Sequence, residues 1–261
     1  MTLIVGIKCH DGIVVGADGA ATLGSVTQFT VQQPVKKLTR IEGTVIIGVS
    51  GPVGLGQRFA GEMKKLWVGS RIPKQSFEAM TTIRDAFWPH AEREWKAAES
   101  VARTLGQAAA QSAMSSSVVA IPIQREPYLF QFDHQCSPEE ATADLPFIAV
   151  GSGRTLADPF LAFLKKIFWQ NKAPNLSEGT LAALWTLRHA IEMNTGGVSD
   201  PVQMMVLESP DGSNRNWRSR ELTADDFAEH DQAIAAAEES LANFRDAQKS
   251  STPSDSPPTP V

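Results

Sequence analysis

The sequence predicts an α+β protein with two antiparallel sheets between helical layers. Three observations carry that prediction. Apolar β-branched runs open the chain and turn back on themselves, two helical stretches then follow, and the cycle of strands, two helices and strands repeats. Strands and helices are therefore segregated along the chain, not alternated one by one as a parallel sheet requires.

The first hairpin is the clearest element. Thr2–Lys8 and Ile13–Gly19 flank Asp11-Gly12, a dipeptide that favours tight hairpin turns. Folding one run along the other places Asp18 beside Thr2, within a rung or two of register. Further strands are predicted at Val35–Ile41 and Thr44–Val49, with Pro52 placed to start a helix. Leu55–Trp67 reads as that helix. Phe77, Met80, Ile83, Phe87, Ala91 and Trp95 recur at helical spacing in a longer one, which Pro89 should kink or divide. Residues 106–117 are small and polar and read as a loop. Strands return at Val118–Ile123, Tyr128–Asp133 and Phe147–Val150, followed by helices near 156–170 and 177–194. Val202–Glu208 and Trp217–Leu222 form a closing hairpin around Pro210-Asp211-Gly212. Thr223 and Asp226 cap a last helix with Phe227, Ile234, Leu241 and Phe244 in a stripe. Residues 250–261, rich in Ser, Pro and Thr, are expected to be disordered.

Composition excludes several function classes. The 261 residues are 42% hydrophobic and 20% charged, as in an ordinary globular protein. A net charge of −5 without a lysine-arginine block argues against nucleic acid. The longest apolar run, near 160–169, is broken by Lys165 and Lys166 and is too short to span a membrane. Two cysteines make no disulfide framework, and the N-terminus has no signal-peptide pattern, so a cytoplasmic protein is expected. Gly48-Val-Ser50-Gly-Pro52 lacks the last glycine of a nucleophile elbow, Gly51, Gly54 and Gly56 lack dinucleotide spacing, and His134 with Cys136 is too few ligands for zinc. No metal or cofactor is expected.

The chemistry points to Thr2. If Met1 is removed, Thr2 carries a hydroxyl and a free α-amine on one residue. An α-amine titrates at about 7.7–8, low enough to act as a base near neutral pH. A hydroxyl beside its own base is an activated nucleophile.

Five motifs in order extend this into a family likeness. Thr2-Leu-Ile-Val with Gly16-Ala-Asp18-Gly, Val35-Lys-Lys37-Leu, Ile47-Gly48-Val-Ser-Gly51, Ala149-Val-Gly-Ser152-Gly153 and Asn194-Thr195-Gly-Gly197 resemble the proteasome β-subunit family, its HslV-type bacterial relatives most of all. The likeness covers residues 2–222 as a proteasome β-like domain. A helical extension over 223–249 and the 250–261 tail exceed the usual HslV-type chain and resemble the betaproteobacterial branch.

The resemblance implies a four-layer αββα sandwich of the N-terminal-nucleophile hydrolase type. It implies a threonine-type endopeptidase that hydrolyses unfolded proteins or peptides without a cofactor. It also implies a homo-oligomer in stacked rings, two heptamers or two hexamers, which would need unfolded or short substrates or else an ATP-dependent unfoldase as a partner. Thr2 is then the nucleophile, Asp18 and Lys37 its charged partners, Gly48 a backbone donor to the oxyanion, and Ser152 a relay at the amine. Glu192 and Thr195 stand where the family has aspartate and serine, Glu192 being one methylene longer. The alternative for Glu192 is a glutamate on a helix surface. Ala21, Thr22, Val35, Ile46 and Ser50 would bind substrate, with an apolar side chain before the scissile bond. Two rival functions belong to the same reading: an amidase acting on a small molecule, and a non-catalytic ring scaffold, which would carry an extension before the first strand.

Overall fold

A computed structural model describes residues 2–23, 31–106, 113–170, 172–193 and 197–250. Two five-stranded antiparallel sheets lie face to face. The first has the order β10-β1-β2-β11-β12 and the second β5-β6-β7-β8-β9. In the first sheet β1 is Ile4–Lys8, β2 Gly12–Ala17, β10 Phe147–Val150, β11 Gln203–Glu208 and β12 Arg218–Glu221. In the second, β5 is Leu38–Ile41, β6 Val45–Ser50, β7 Ser116–Ile123, β8 Glu126–Phe132 and β9 Pro138–Glu140. A separate two-stranded ribbon joins β3 (Ala20–Leu23) to β4 (Val31–Pro34).

Strand alternation gives each sheet an inner and an outer face, and both are apolar. Ile4, Ile13, Val15, Ile46, Val118, Leu129 and Met205 meet between the sheets. The outer face of the second sheet is covered by α1 (Val53–Val68) and α2 (Ser76–Leu105), where Phe59 and Phe87 stack with centroids 4.3 Å apart. The outer face of the first sheet is covered by α3 (Arg154–Leu164) and α4 (Leu176–Glu192), with α5 (Ala224–Ser250) against α4. The layers run helix, sheet, sheet, helix.

The differences from the expected elements have local causes. The strand expected over Val35–Ile41 is shortened to Leu38–Ile41, which starts opposite Gly48, and a separate strand Val31–Pro34 precedes it and pairs with β3. Pro89 does not divide α2, which runs unbroken from Ser76 to Leu105. The helix expected near 156–170 begins at Arg154 and closes with a π turn over Lys165–Trp169. Ser116 and Ser117, expected in a loop, belong to β7. The tail from 251 onward lies outside the described residues.

Candidate active site

The β1–β2 register fixes the centre of the site. Ile4 faces Ala17, so Asp18 falls opposite Leu3, one rung from Thr2. The Asp18 N–H donates to the Leu3 carbonyl at 3.1 Å, and the Leu3 N–H donates to Asp18 Oδ1 at 2.8 Å. Asp18 is fully buried, and its Oδ2 accepts longer bonds of 3.4 Å from the N–H groups of Ala20 and Ser199. These donors hold a carboxylate that would otherwise be costly to bury.

Lys37 supplies the opposite charge. Its Nζ lies 2.6 Å from Asp18 Oδ1, with the lysine side chain 5% exposed. Burial pushes the ammonium below the ordinary value of 10.5, and Asp18 opposes that shift. Gln203 holds the segment: its Oε1 accepts the Lys37 N–H at 3.0 Å, and its Nε2 donates to the Val35 carbonyl. Gln203 pairs with Ala17 at the start of β11, which is why it sits beside Asp18. Sequence reasoning did not single it out. The available signal was one amide side chain at the head of an apolar strand, which acquires meaning only with the register.

Ser152 completes the group from the far edge of the sheet. The main-chain nitrogen of Thr2 donates to Ser152 Oγ at 3.2 Å. Ser152 Oγ and the Gly153 N–H approach the Thr2 carbonyl at 3.5 and 3.2 Å. This contact requires glycine at position 151. Gly151 has φ 96, and a Cβ there would fall 2.2 Å from the Thr2 carbonyl oxygen.

A cleft of about 1190 Å³ opens over these residues, lined by Thr2, Lys37 and Ser152 among others. Val35 and Ser50 line it, together with Ile47 and Val49. Ile46 does not. It is fully buried between the sheets, because alternation along β6 turns residues 46 and 48 inward and 47 and 49 outward. Gly48 shares that inner side, where a Cβ would come 2.9 Å from Leu38 Cδ2 and 3.1 Å from Ile4 Cγ2. Close packing therefore demands the glycine whatever its N–H does. Glu192 is exposed at the end of α4 and is not brought to Ser152 or Asp18 by any hydrogen bond or ion pair among the described residues. Thr195 and the side chains of Ala21 and Thr22 lie outside the described residues. Among the described residues no group of three His, Cys, Asp or Glu is gathered as a metal would need, and no helix is long and apolar enough to cross a membrane.

A family model described as proteasome subunit matches residues 2–66, the stretch from the start of the first sheet into α1. No curated protein sequence matches the chain significantly. Solved structures match over their whole length. An Anbu (Gly-1) mutant from Hyphomicrobium sp. strain MC1 superposes with a TM-score of 0.67 at 18% identity, covering 100% of both chains. Anbu, titled an ancestral beta-subunit, from Yersinia bercovieri gives 0.63 at 16%, covering 99% of this chain and 100% of the other. The Anbu complex from Pseudomonas aeruginosa, titled a helical assembly, gives 0.69 at 17% over 98% of each. The fold is theirs. It is the four-layer αββα sandwich that the sequence motifs implied.

Proposed function

We propose that the chain is a proteasome-type threonine peptidase, with Thr2 as nucleophile once Met1 has been removed. One observation carries the proposal: Ser152 stands at the Thr2 nitrogen while a buried Asp18–Lys37 pair stands one rung away, in a cleft that Thr2 lines. The proteasome family match over residues 2–66 supports it.

In this reading Thr2 Oγ attacks the scissile carbonyl and its proton passes to the Thr2 amine, with Ser152 Oγ holding that amine. The Lys37 ammonium nearby favours the neutral, basic form of the amine, and Asp18 keeps the ammonium in place. The tetrahedral oxyanion is met by the Gly48 N–H, a donor worth about 3 kcal/mol in such sites. The C–N bond breaks as the amine returns its proton to the leaving group, leaving an ester on Thr2. Water then hydrolyses the ester and regenerates the site.

Cleft size favours peptides over a small-molecule amide. At about 1190 Å³ it exceeds the roughly 300–1,000 Å³ usual for small-molecule pockets. The apolar wall of Val35, Ile47 and Val49 favours an apolar side chain before the scissile bond. The proposal extends to a cytoplasmic homo-oligomer in stacked rings that encloses the clefts and takes unfolded protein, with an ATP-dependent unfoldase as feeder. The test is hydrolysis of a fluorogenic peptide with an apolar residue before the reporter. Thr2→Ala should lower kcat by about 10³-fold or more, while Thr2→Ser should retain measurable turnover. Full activity in Thr2→Ala would end the proposal.

A further inference from the structure

The last helix is longer than the subunit that supports it. Asp226 in its first turn pairs with Arg220 at 2.8 Å, Asp231 with Arg188 of α4 at 3.3 Å, and Glu238 Oε1 accepts the Trp185 Nε1–H at 2.9 Å. Phe227, Ile234 and Ala237 reach the outer core, with Ile234 buried. From Glu238 to Asp246 every residue is exposed. The apolar stripe nevertheless continues: Leu241 and Phe244 follow Ile234 and Ala237 at seven-residue spacing and are 56% and 65% exposed. An amphipathic stripe carried two turns beyond its own core is a surface made for something else.

A second apolar patch lies on the same helical layer. Phe163, Ile167 and Phe168, at the end of α3 and in the π turn, are 46%, 51% and 47% exposed. Buried Trp185 ties the two patches together from beneath: its ring is 6.2 Å from Phe168 and its N–H reaches Glu238. They differ in charge. Exposed Lys166 and Lys172 flank Ile167 and Phe168, while Glu238 and Glu239 border Leu241. A straight helix cannot fold its own end back onto the neighbouring patch, so among the described residues the complement within one chain goes unused.

The geometry points to a second copy of this chain as the occupant: two subunits related by a two-fold axis, each laying its Leu241–Phe244 overhang on the partner's Lys166–Phe168 surface. Two complementary patches on one helical layer suit an isologous contact, because one two-fold axis satisfies both at once. The inference rests on the homo-oligomer reading above and names the surface that would join two copies.

Native mass of the full chain, measured by sedimentation velocity and native mass spectrometry, tests it without reference to activity. The Leu241→Asp/Phe244→Asp double variant should fall to about half the wild-type mass while keeping its circular dichroism at 25 °C. Glu239→Lys and Lys166→Glu should each weaken self-association about tenfold, and the chain carrying both should recover it. Leu241→Cys with Phe168→Cys should give a reciprocally crosslinked dimer on oxidation. Unchanged mass in the double aspartate variant, with no crosslinked dimer, would overturn this interface alone. A wild-type chain that is monomeric at all concentrations would overturn the homo-oligomer reading with it.

Discussion

At the residue scale, Asp18 and Lys37 form a coupled pair whose halves cannot be removed separately. Asp18 is fully buried, so Lys37→Ala leaves a carboxylate with backbone donors and, among the described residues, no ion-pair partner. Breaking such a pair costs about 3–5 kcal/mol, and urea unfolding should show a loss of that size. The pair also sets a pH limit. Burial lowers Lys37 from 10.5, so under the proposed mechanism the alkaline limb of activity should fall below that pH. In the same window the unfolded chain holds a lysine proton that the native chain has released, so this group makes stability rise with pH. Buried Cys136, pushed up to about 11, acts with the opposite sign above 9.0, because the native thiol keeps a proton that the unfolded chain gives up. Lys37→Arg separates the two, since guanidinium does not titrate there: its pH–rate profile should lose the low alkaline limb. An unchanged limb would show that another group sets it.

At the element scale, what was legible depended on whether an element's reason lay within itself. The hairpin at Asp11-Gly12 and the helix α4 were readable because periodicity and turn chemistry are local. Asn175 and Glu178 cap α4 reciprocally, each side chain accepting the other's N–H at 2.9 Å. Asn175→Ala should therefore cost about 1 kcal/mol in urea unfolding, and a change below a few tenths would show the cap to be idle. The β3–β4 ribbon and the late start of the expected Val35–Ile41 strand at Leu38 were not readable. Val31–Pro34 becomes a strand only because Ala20–Leu23 pairs with it, and no local pattern announces that partner. The π turn at Lys165–Trp169 is likewise invisible to a 3.6-residue period, yet it presents Ile167 and Phe168 to solvent while Trp169 stays buried.

At the scale of the whole molecule, four layers bring a strand start, a loop 150 residues later and a lysine between two sheets to one cleft. The proposed chemistry then turns on a covalent detail at one end of the chain. An N-terminal tag that stays attached converts the Thr2 amine into an amide, so peptide hydrolysis should be abolished while the native mass per subunit rises only by the tag. Sustained turnover by the tagged chain would contradict an amine base. The amino-acid sequence by itself determined most element types and the apolar faces, because propensity and periodicity act over short spans. Only the tertiary structure decided that Gln203 braces Lys37, that Ile46 turns into the core while Ile47 lines the cleft, and that Glu192 ends on an exposed helix terminus. Those outcomes depend on strand register and layer stacking, where a shift of one residue reverses which face a side chain occupies.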